Sequence, residues 1–218
     1  TKKAEQNKVW VGLSKETAHQ LGTPISSLMA WMDLLESSGV DPSLLSDMNK
    51  DVNRLSVIAE RFSKIGSKPE MELIYVNEVL ENATEYMRRR VSDKVLITTH
   101  LPSDAEGAMV CLSLFEWVIE NLCKNAVDAM NGEGRIDVYM TSEKQQIYID
   151  IKDTGKGIAR KNFKTVFNPG YTTKKRGWGL GLTLAKRIIE DYHAGRIYVK
   201  DSEVGKGTTF RIELKRVV

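Results

Sequence analysis

The organisation of this chain follows from the stretch Thr17-Ala18-His19-Gln20-Leu21-Gly22-Thr23-Pro24, which lies inside a long helical pattern. From this stretch onward, apolar residues recur at steps of four, three, four and three positions: Leu21, Ile25, Leu28, Met32 and Leu35. Such spacing is typical of a coiled-coil seam rather than of an ordinary surface helix. The sequence therefore predicts a helix over about residues 5–38 that pairs with a second helix.

One histidine, His19, stands beside this seam next to Leu21, so its ring is expected at the flank, open to solvent. Thr23 lies one turn further along the same face. Pro24 has no backbone N–H and, together with Gly22, is expected to kink or loosen the helix just past the histidine. A lone helical histidine most often has no chemical role, so its interpretation depends on the rest of the chain.

A second helix is predicted from Pro42 to about Ile65, again with heptad-like apolar spacing. Gly39 is placed to end the first helix, and Asp41 to cap the second. Two antiparallel helices make a poor core alone, so we expect a second copy to complete a four-helix bundle. A monomeric hairpin packed on the following domain is the alternative.

The small, polar segment Gly66-Ser67-Lys68-Pro69 then marks a boundary, and we predict two domains, residues 1–67 and 68–218. The second domain mixes helices, predicted at about 76–90, 113–130 and 178–192, with strands near 95–101, 135–140, 147–151, 197–199 and 210–214. Because they do not form a regular βαβ repeat, we expect an α/β sandwich, a mixed sheet with helices on one face.

Composition excludes several classes of protein. The net charge of +3 over 218 residues, with no basic run interleaved with aromatics, argues against nucleic-acid binding. No apolar run is long enough to cross a bilayer and no signal peptide is present, so we expect no membrane contact within this sequence. Cys111 and Cys123 stand in apolar surroundings, as buried thiols of a reducing compartment do. We expect a cytoplasmic fragment of a longer protein, whose parent could be anchored in the inner membrane.

Three stretches of the second domain indicate a nucleotide site. In the first, Asn121, Asn125 and Asp128 fall at i, i+4 and i+7 and form one polar stripe on a helix. Asparagine is a mediocre helix former, and its amide oxygen can complete the shell of a hydrated Mg²⁺. The alternative is a polar face that only meets water.

The second stretch places Asp153 at the end of an isoleucine-rich strand, followed by Gly155 and Gly157. Glycines there let the backbone approach a flat ligand, and a carboxylate at the strand end can accept a hydrogen bond from an exocyclic amine such as that of adenine. The motif Asp-x-Gly-x-Gly alone also describes many ordinary loops.

The third stretch is Lys174-Lys175-Arg176-Gly177-Trp178-Gly179-Leu180-Gly181, which opens directly into a predicted helix. Free N–H groups and the dipole at a helix start suit phosphate, and the basic residues precede it. The glycine spacing fits neither a Rossmann fingerprint nor a P-loop. Residues 168–176 are polar and basic, as a mobile lid over a nucleotide would be.

Taken together with Phe167-Asn168-Pro169, these motifs in this order resemble those of a bacterial sensor histidine kinase, over essentially the whole chain. The resemblance implies a dimerisation and histidine-phosphotransfer hairpin, followed by a catalytic ATP-binding domain of the gyrase, mismatch-repair and chaperone type. It implies autophosphorylation of His19 by Mg·ATP and transfer to an aspartate of a response-regulator receiver domain, which would dock on the hairpin between His19 and Leu35, near Trp31.

The resemblance also assigns the site residues. Asp153 would bind the adenine amino group, and Asn125 would be the Mg²⁺ ligand. Thr23 would hold a water against the regulator's aspartyl-phosphate in a phosphatase reaction, unless its hydroxyl merely bonds to the carbonyl of His19. The remaining residues would shape the cleft and its lid: Asn121, Gly155, Gly157, Phe167, Lys174, Gly177, Gly179, Leu180 and Gly181.

Two positions depart from the family's pattern. Gln20 stands where the family usually has a carboxylate, which would hold the imidazole and stabilise its developing charge. Gln20 can accept the ring N–H but offers no charge, so we expect reduced nucleophilicity. Ser113 stands where an aspartate often opens the asparagine helix, and we expect it to cap that helix with Glu116 in a capping box.

Two other functions remain possible from the sequence. One is an ATPase or a Ser/Thr kinase on the same ATP fold, although an ATPase would carry a glutamate where Asn121 stands. The other is a degenerate dimeric scaffold that binds nucleotide without efficient transfer, for which Gln20 is the only indication.

Overall fold

The computed structural model describes residues 2–173 and 179–217. The chain divides into two compact units, Thr1–Pro69 and Glu70–Val218. The first unit consists of helices α1 (Lys2–Ser37) and α2 (Pro42–Gly66). Helix α1 remains helical through Pro24, so the proline does not end it.

The turn between the two helices has the predicted caps. Gly39 adopts a φ of 79°, which a residue without a Cβ does at no steric cost. An oxygen of the Asp41 carboxylate accepts hydrogen bonds of 2.8 Å from both the backbone N–H and the hydroxyl of Ser43. Pro42 occupies the first helical position, where its missing N–H has no partner to lose.

The hairpin has a small core of its own. Ile25, Met32 and Val52 are buried, and Leu21 and Ala59 pack against them. Many other large apolar side chains of the two helices are exposed in this single copy: Val9, Leu13, Leu28, Met29, Trp31, Leu34, Leu44, Met48, Leu55, Val57 and Ile58. A helix pair of this kind buries only part of its apolar stripe.

The second unit is an α/β structure. Its strands are β1 (Glu72–Tyr75), β2 (Val95–His100), β3 (Gly107–Val110), β4 (Gly134–Ser142), β5 (Gln146–Asp153), β6 (Arg196–Glu203) and β7 (Gly207–Lys215). Its helices are α3 (Val76–Arg88), α4 (Leu112–Ala129) and α5 (Gly181–Arg187), the last continued by a π-helical turn at Ile188–Tyr192. Two short 3₁₀ turns lie at Arg160–Asn162 and Thr165–Phe167.

The main sheet is mixed, as predicted, with strand order β2-β4-β5-β7-β6. Strands β2 and β4 are parallel, and the other neighbours are antiparallel. The inward side chains of β4 and β5 are almost fully buried: Ile136, Val138, Met140, Ile147, Ile149 and Ile151. Helix α4 packs on β4 and β5, helix α3 on β2 and helix α5 on β6, as expected for a mixed sheet with helices on one face.

Strands β1 and β3 form a separate two-stranded sheet that was not predicted, with Leu73 opposite Met109. The start of α4 also differs from the prediction, which placed Ser113 at the N-cap. The helix begins at Leu112 after Cys111, which contributes no side-chain cap. Instead, the backbone N–H of Cys111 donates to Nε2 of the buried His193 at 3.0 Å. The ring thus accepts the N–H of the N-cap residue, one of the donors at a helix start that have no partner within the helix.

Both cysteines are buried free thiols. Across residues 2–173 and 179–217, no helix has the length and apolar character that a membrane crossing requires.

Candidate functional site

A cleft of about 710 Å³ opens in the second unit along α4, beside the end of β5 and the loops that follow it. Its size suits a cofactor or nucleotide. Seven residues predicted from the sequence to bind nucleotide line it: Asn121, Asn125, Asp153, Gly157, Gly179, Leu180 and Gly181. The motifs are far apart in the chain, and the fold brings them to one place.

The cleft has a buried carboxylate at the end of β5. The Asp153 side chain is only 4% exposed, and one of its oxygens accepts a hydrogen bond of 2.8 Å from the N–H of Gly155. Burial raises the pKa of this carboxyl, while hydrogen bonds from the backbone of Gly155 and Thr208 act in the opposite direction. These bonds orient the group, whose remaining lone pairs can accept from a ligand.

Two glycines let the walls of the cleft approach closely. Gly157 has a φ of 74°, and a Cβ there would overlap the carbonyl oxygen of Glu203. Gly179 has a φ of 63°, and a Cβ there would overlap the backbone of Gly170. Gly155 does not line the cleft, but lies against the backbone of Ala129 at the end of α4.

Helix α4 presents its polar stripe to the cleft. Asn121, Asn125 and Asp128 all line it, while the opposite side of the helix, with Val118 and Leu122, is buried. Within the described part of the chain, no three His, Cys, Asp or Glu side chains cluster as they would around a metal ion.

The far wall of the cleft carries a lysine that the sequence reasoning did not single out. Lys156, between the two glycines of the Asp-x-Gly-x-Gly motif, lines the cleft, and its ammonium donates to the Thr173 hydroxyl at 2.5 Å. Its position between Gly155 and Gly157 is the feature of the sequence from which a role in the cleft could have been predicted. Because the ammonium is a mobile point charge, it can also reach a phosphate in the cleft.

Phe167 is buried and makes an edge-to-face contact with Phe210, with ring centroids 6.1 Å apart. The hydroxyl of Thr183 on α5 donates to the carbonyl of Phe167 at 2.9 Å. This bond connects α5 to the end of the 3₁₀ turn Thr165–Phe167. Helix α5 begins at Gly181 rather than near residue 178. Lys174 and Gly177, predicted as parts of the lid, lie outside the described residues.

In the first unit, His19 is exposed on α1 and borders a shallow groove with Gly22 and Thr23. The amide nitrogen of Gln20 donates to Oε1 of Glu16 at 2.6 Å. Within the described residues, the Thr23 hydroxyl forms no hydrogen bond to the carbonyl of His19, whereas Ser26 and Ser27 do bond back to the preceding turn.

Comparison with known proteins finds one matching family model and several relatives. Residues 111–218 match the family described as histidine kinase-, DNA gyrase B- and HSP90-like ATPase. Sporulation kinase E of Bacillus subtilis (strain 168) is 30% identical over 209 residues, which are 93% of this chain and 28% of that protein. Sensor histidine kinase RppB of Synechocystis sp. is 28% identical over 215 residues, 90% of this chain and 47% of that protein. The chain is a homologue of the sensor histidine kinases.

The resemblance to sensor histidine kinases is thereby confirmed, and the second unit has the ATP-binding fold of that family. The chain spans less than half the length of either relative. It also resembles the structure of histidine kinase ThkA in complex with response regulator protein TrrA, with a TM-score of 0.63 and 18% identity over 98% of this chain and 64% of that chain. At that identity the likeness concerns the fold alone.

Proposed function

We propose that this chain is the catalytic core of an ATP-dependent protein-histidine kinase of a two-component system. A ring nitrogen of His19 bonds to the γ-phosphorus of ATP while the bond from that phosphorus to the β–γ bridging oxygen breaks, and ADP leaves with the electron pair. The observation that carries this proposal is a cleft with a buried, backbone-oriented carboxylate in a chain that also exposes a histidine on a helical hairpin. Residues 1–67 would receive the phosphoryl group, and residues 68–218 would bind ATP.

In the cleft, Asp153 would accept a hydrogen bond from the adenine amino group. Asn125 would supply an oxygen to Mg²⁺, whose charge neutralises the β- and γ-phosphates during transfer. Asn121 would occupy the preceding position, one turn earlier on the same face of α4. Gly155, Gly157, Gly179, Leu180 and Gly181 would shape the cleft, with Lys174 and Gly177 in the lid. Apart from the bond that His19 forms to the phosphorus, transfer would rest on positioning and charge neutralisation.

The hairpin would form a homodimer. Its own core holds few residues, while exposed apolar side chains such as Leu13, Leu28 and Leu55 run along both helices. Exposed apolar surface of this kind often marks a protein–protein interface. A second copy, related by a two-fold axis, would bury these side chains in a four-helix bundle.

The partner that receives the phosphoryl group would be a response-regulator receiver domain. The fold relative ThkA has been solved with such a protein, TrrA. On this chain, the region from His19 to Leu35 would dock the regulator, with the exposed Trp31 within reach. Thr23 would hold the water that removes phosphate from the regulator. The fragment would act in the cytoplasm, as part of a longer kinase that could be anchored in the inner membrane.

Incubation with γ-labelled ATP and Mg²⁺ tests the proposal. We expect a label that is lost in acid and retained in alkali, as phosphohistidine is, and that is absent from His19→Gln although that variant still binds nucleotide. An acid-stable label would identify a Ser/Thr kinase instead. Phosphate release without labelled protein would identify an ATPase, and binding without either would identify a scaffold.

A further inference from the structure

The residue one turn before the histidine, Glu16, occupies a position that the sequence pattern did not single out. Glu16 precedes His19 by three residues and Gln20 by four, and residues at these spacings are neighbours on a helix surface. Side chains of a helix also lean toward its N-terminus. Both the imidazole of His19 and the amide of Gln20 therefore lean over the turn that carries the Glu16 carboxylate.

The contact between Glu16 and Gln20 determines which hydrogen-bond donors and acceptors the two side chains use. The Gln20 amide nitrogen lies 2.6 Å from Oε1 of Glu16. An ionised carboxylate only accepts hydrogen bonds, so the amide must turn its NH₂ group toward Glu16. A carboxylate has about four lone-pair sites, so one bond from Gln20 leaves acceptor capacity for a ring N–H.

Building on the proposed function, we propose that Glu16 is the carboxylate that positions the imidazole of His19, and that Gln20 holds Glu16 in place. One ring N–H would donate to Glu16, which leaves the other ring nitrogen with its lone pair toward the γ-phosphorus. When that nitrogen attacks, the ring gains positive charge while the proton stays on the nitrogen that faces Glu16. The carboxylate stabilises this charge, as an orienting carboxylate does beside other catalytic histidines.

This arrangement accounts for the glutamine at position 20. A carboxylate directly after the histidine would stand four residues from Glu16, and like charges at that spacing repel. A neutral amide instead donates to Glu16 and keeps it on the side of the helix that His19 shares. The negative charge is thus supplied from the preceding turn rather than from the adjacent residue. Glu16 acts through His19, so it is a positioning residue and not a catalytic one.

A double-mutant cycle tests the inference on the full chain. The variants are Glu16→Gln, Gln20→Glu and the double variant. Glu36→Gln is the matched control, because it removes the same charge from an exposed position near the end of the same helix. The measurement is the single-turnover rate of His19 labelling at saturating Mg·ATP, with the KM for ATP determined for each protein. Thermal unfolding of each variant monitors the fold.

We expect Glu16→Gln to slow labelling by about ten-fold without changing the KM for ATP, because the nucleotide site lies in the other unit. Gln20→Glu should then restore the rate in the Glu16→Gln background, and its gain there should exceed its gain in the wild-type background by about ten-fold. A purely structural role for Glu16 would not produce this rescue. Glu36→Gln should label at the wild-type rate.

Two results would overturn the inference: Glu16→Gln labelling as fast as Glu36→Gln, or an equal gain from Gln20→Glu in both backgrounds. The second result would mean that position 20 acts on the ring independently of Glu16. The experiment also distinguishes failure of this inference from failure of the proposed function. If the proposed function were wrong, wild-type protein would carry no acid-labile label, or His19→Gln would carry as much label as wild type.

Discussion

Replacing Asp153 with asparagine isolates the contact that we assign to adenine. The asparagine oxygen can still accept the N–H of Gly155, now 2.8 Å from the carboxylate, so the loop is expected to keep its shape. The substitution removes the charge, and it places an NH₂ donor where the adenine amine needs an acceptor. A hydrogen bond to a charged group contributes about 1.5–3 kcal/mol, so the dissociation constant for Mg·ADP should rise by roughly 10–150-fold.

Isothermal titration of Mg·ADP into Asp153→Asn measures this effect, with Asp93→Asn, an exposed aspartate on the surface of the same unit, as the matched control. The control should bind like wild type. Burying the charged carboxylate of Asp153 costs desolvation free energy, which a neutral asparagine does not incur. Asp153→Asn should therefore not lower the unfolding temperature. Equal affinity in both variants would refute the assignment of Asp153 to adenine, and unfolding of Asp153→Asn would show that the carboxylate holds the loop instead.

Because the pKa of Asp153 is raised in the folded state, the folding stability should depend on pH through this residue. A carboxyl whose pKa is higher in the folded state binds more protons there than in the unfolded chain. Its ionisation therefore costs stability as pH rises from the ordinary pKa of an aspartate through the raised pKa of the folded state. Asp153→Asn should remove this loss, so the stability difference between variant and wild type should grow in favour of the variant over that window. No change across it would contradict the burial argument.

Three further predictions concern the metal, the backbone and the thiols. Asn125→Ala should weaken nucleotide binding by about ten-fold in the presence of Mg²⁺ and have little effect in EDTA, measured by the same titration; equal loss in both would exclude a metal ligand. Gly157→Ala should cost about 1–3 kcal/mol in denaturant unfolding because it combines a positive φ with overlap at Glu203. Gly12→Ala, inside helix α1 with open space around it, should instead stabilise by up to about 1 kcal/mol. Burial raises the pKa of the Cys123 thiol to about 12, so it should not react with a thiol reagent at pH 8 until the chain unfolds; reaction at the rate of a free thiol would place it at the surface.

The features that could be predicted from sequence are those set by local chemistry. The turn between α1 and α2 follows from Gly39, Asp41 and Pro42, each of which has a conformational preference of its own. The isoleucines of β5 alternate with polar residues, so strand and buried face could be read together. The cleft residues were found for the same reason, because Asn125 and Asp153 stand on regular elements whose faces the sequence defines.

What could not be predicted depends on contacts between distant residues. Strands β1 and β3 have four residues each, too few for an alternating pattern, and they exist because Glu72 pairs with Val110 across 38 positions of sequence. The start of α4 depends on the ring of His193, which lies 82 residues away from Cys111. The hydrogen bond between Lys156 and Thr173 likewise spans 17 residues. No local propensity encodes such pairings.

The identity of the residue that carries the phosphoryl group is the central claim. It is tested most directly by incubating the wild-type chain with Mg·ATP, digesting it at neutral to alkaline pH, and locating the modification by electron-transfer fragmentation mass spectrometry. We predict one phosphoryl group on the imidazole of His19, with no phosphorylated serine or threonine in the same digest. A phosphoryl group on another residue, with the peptide of His19 unmodified, would contradict it.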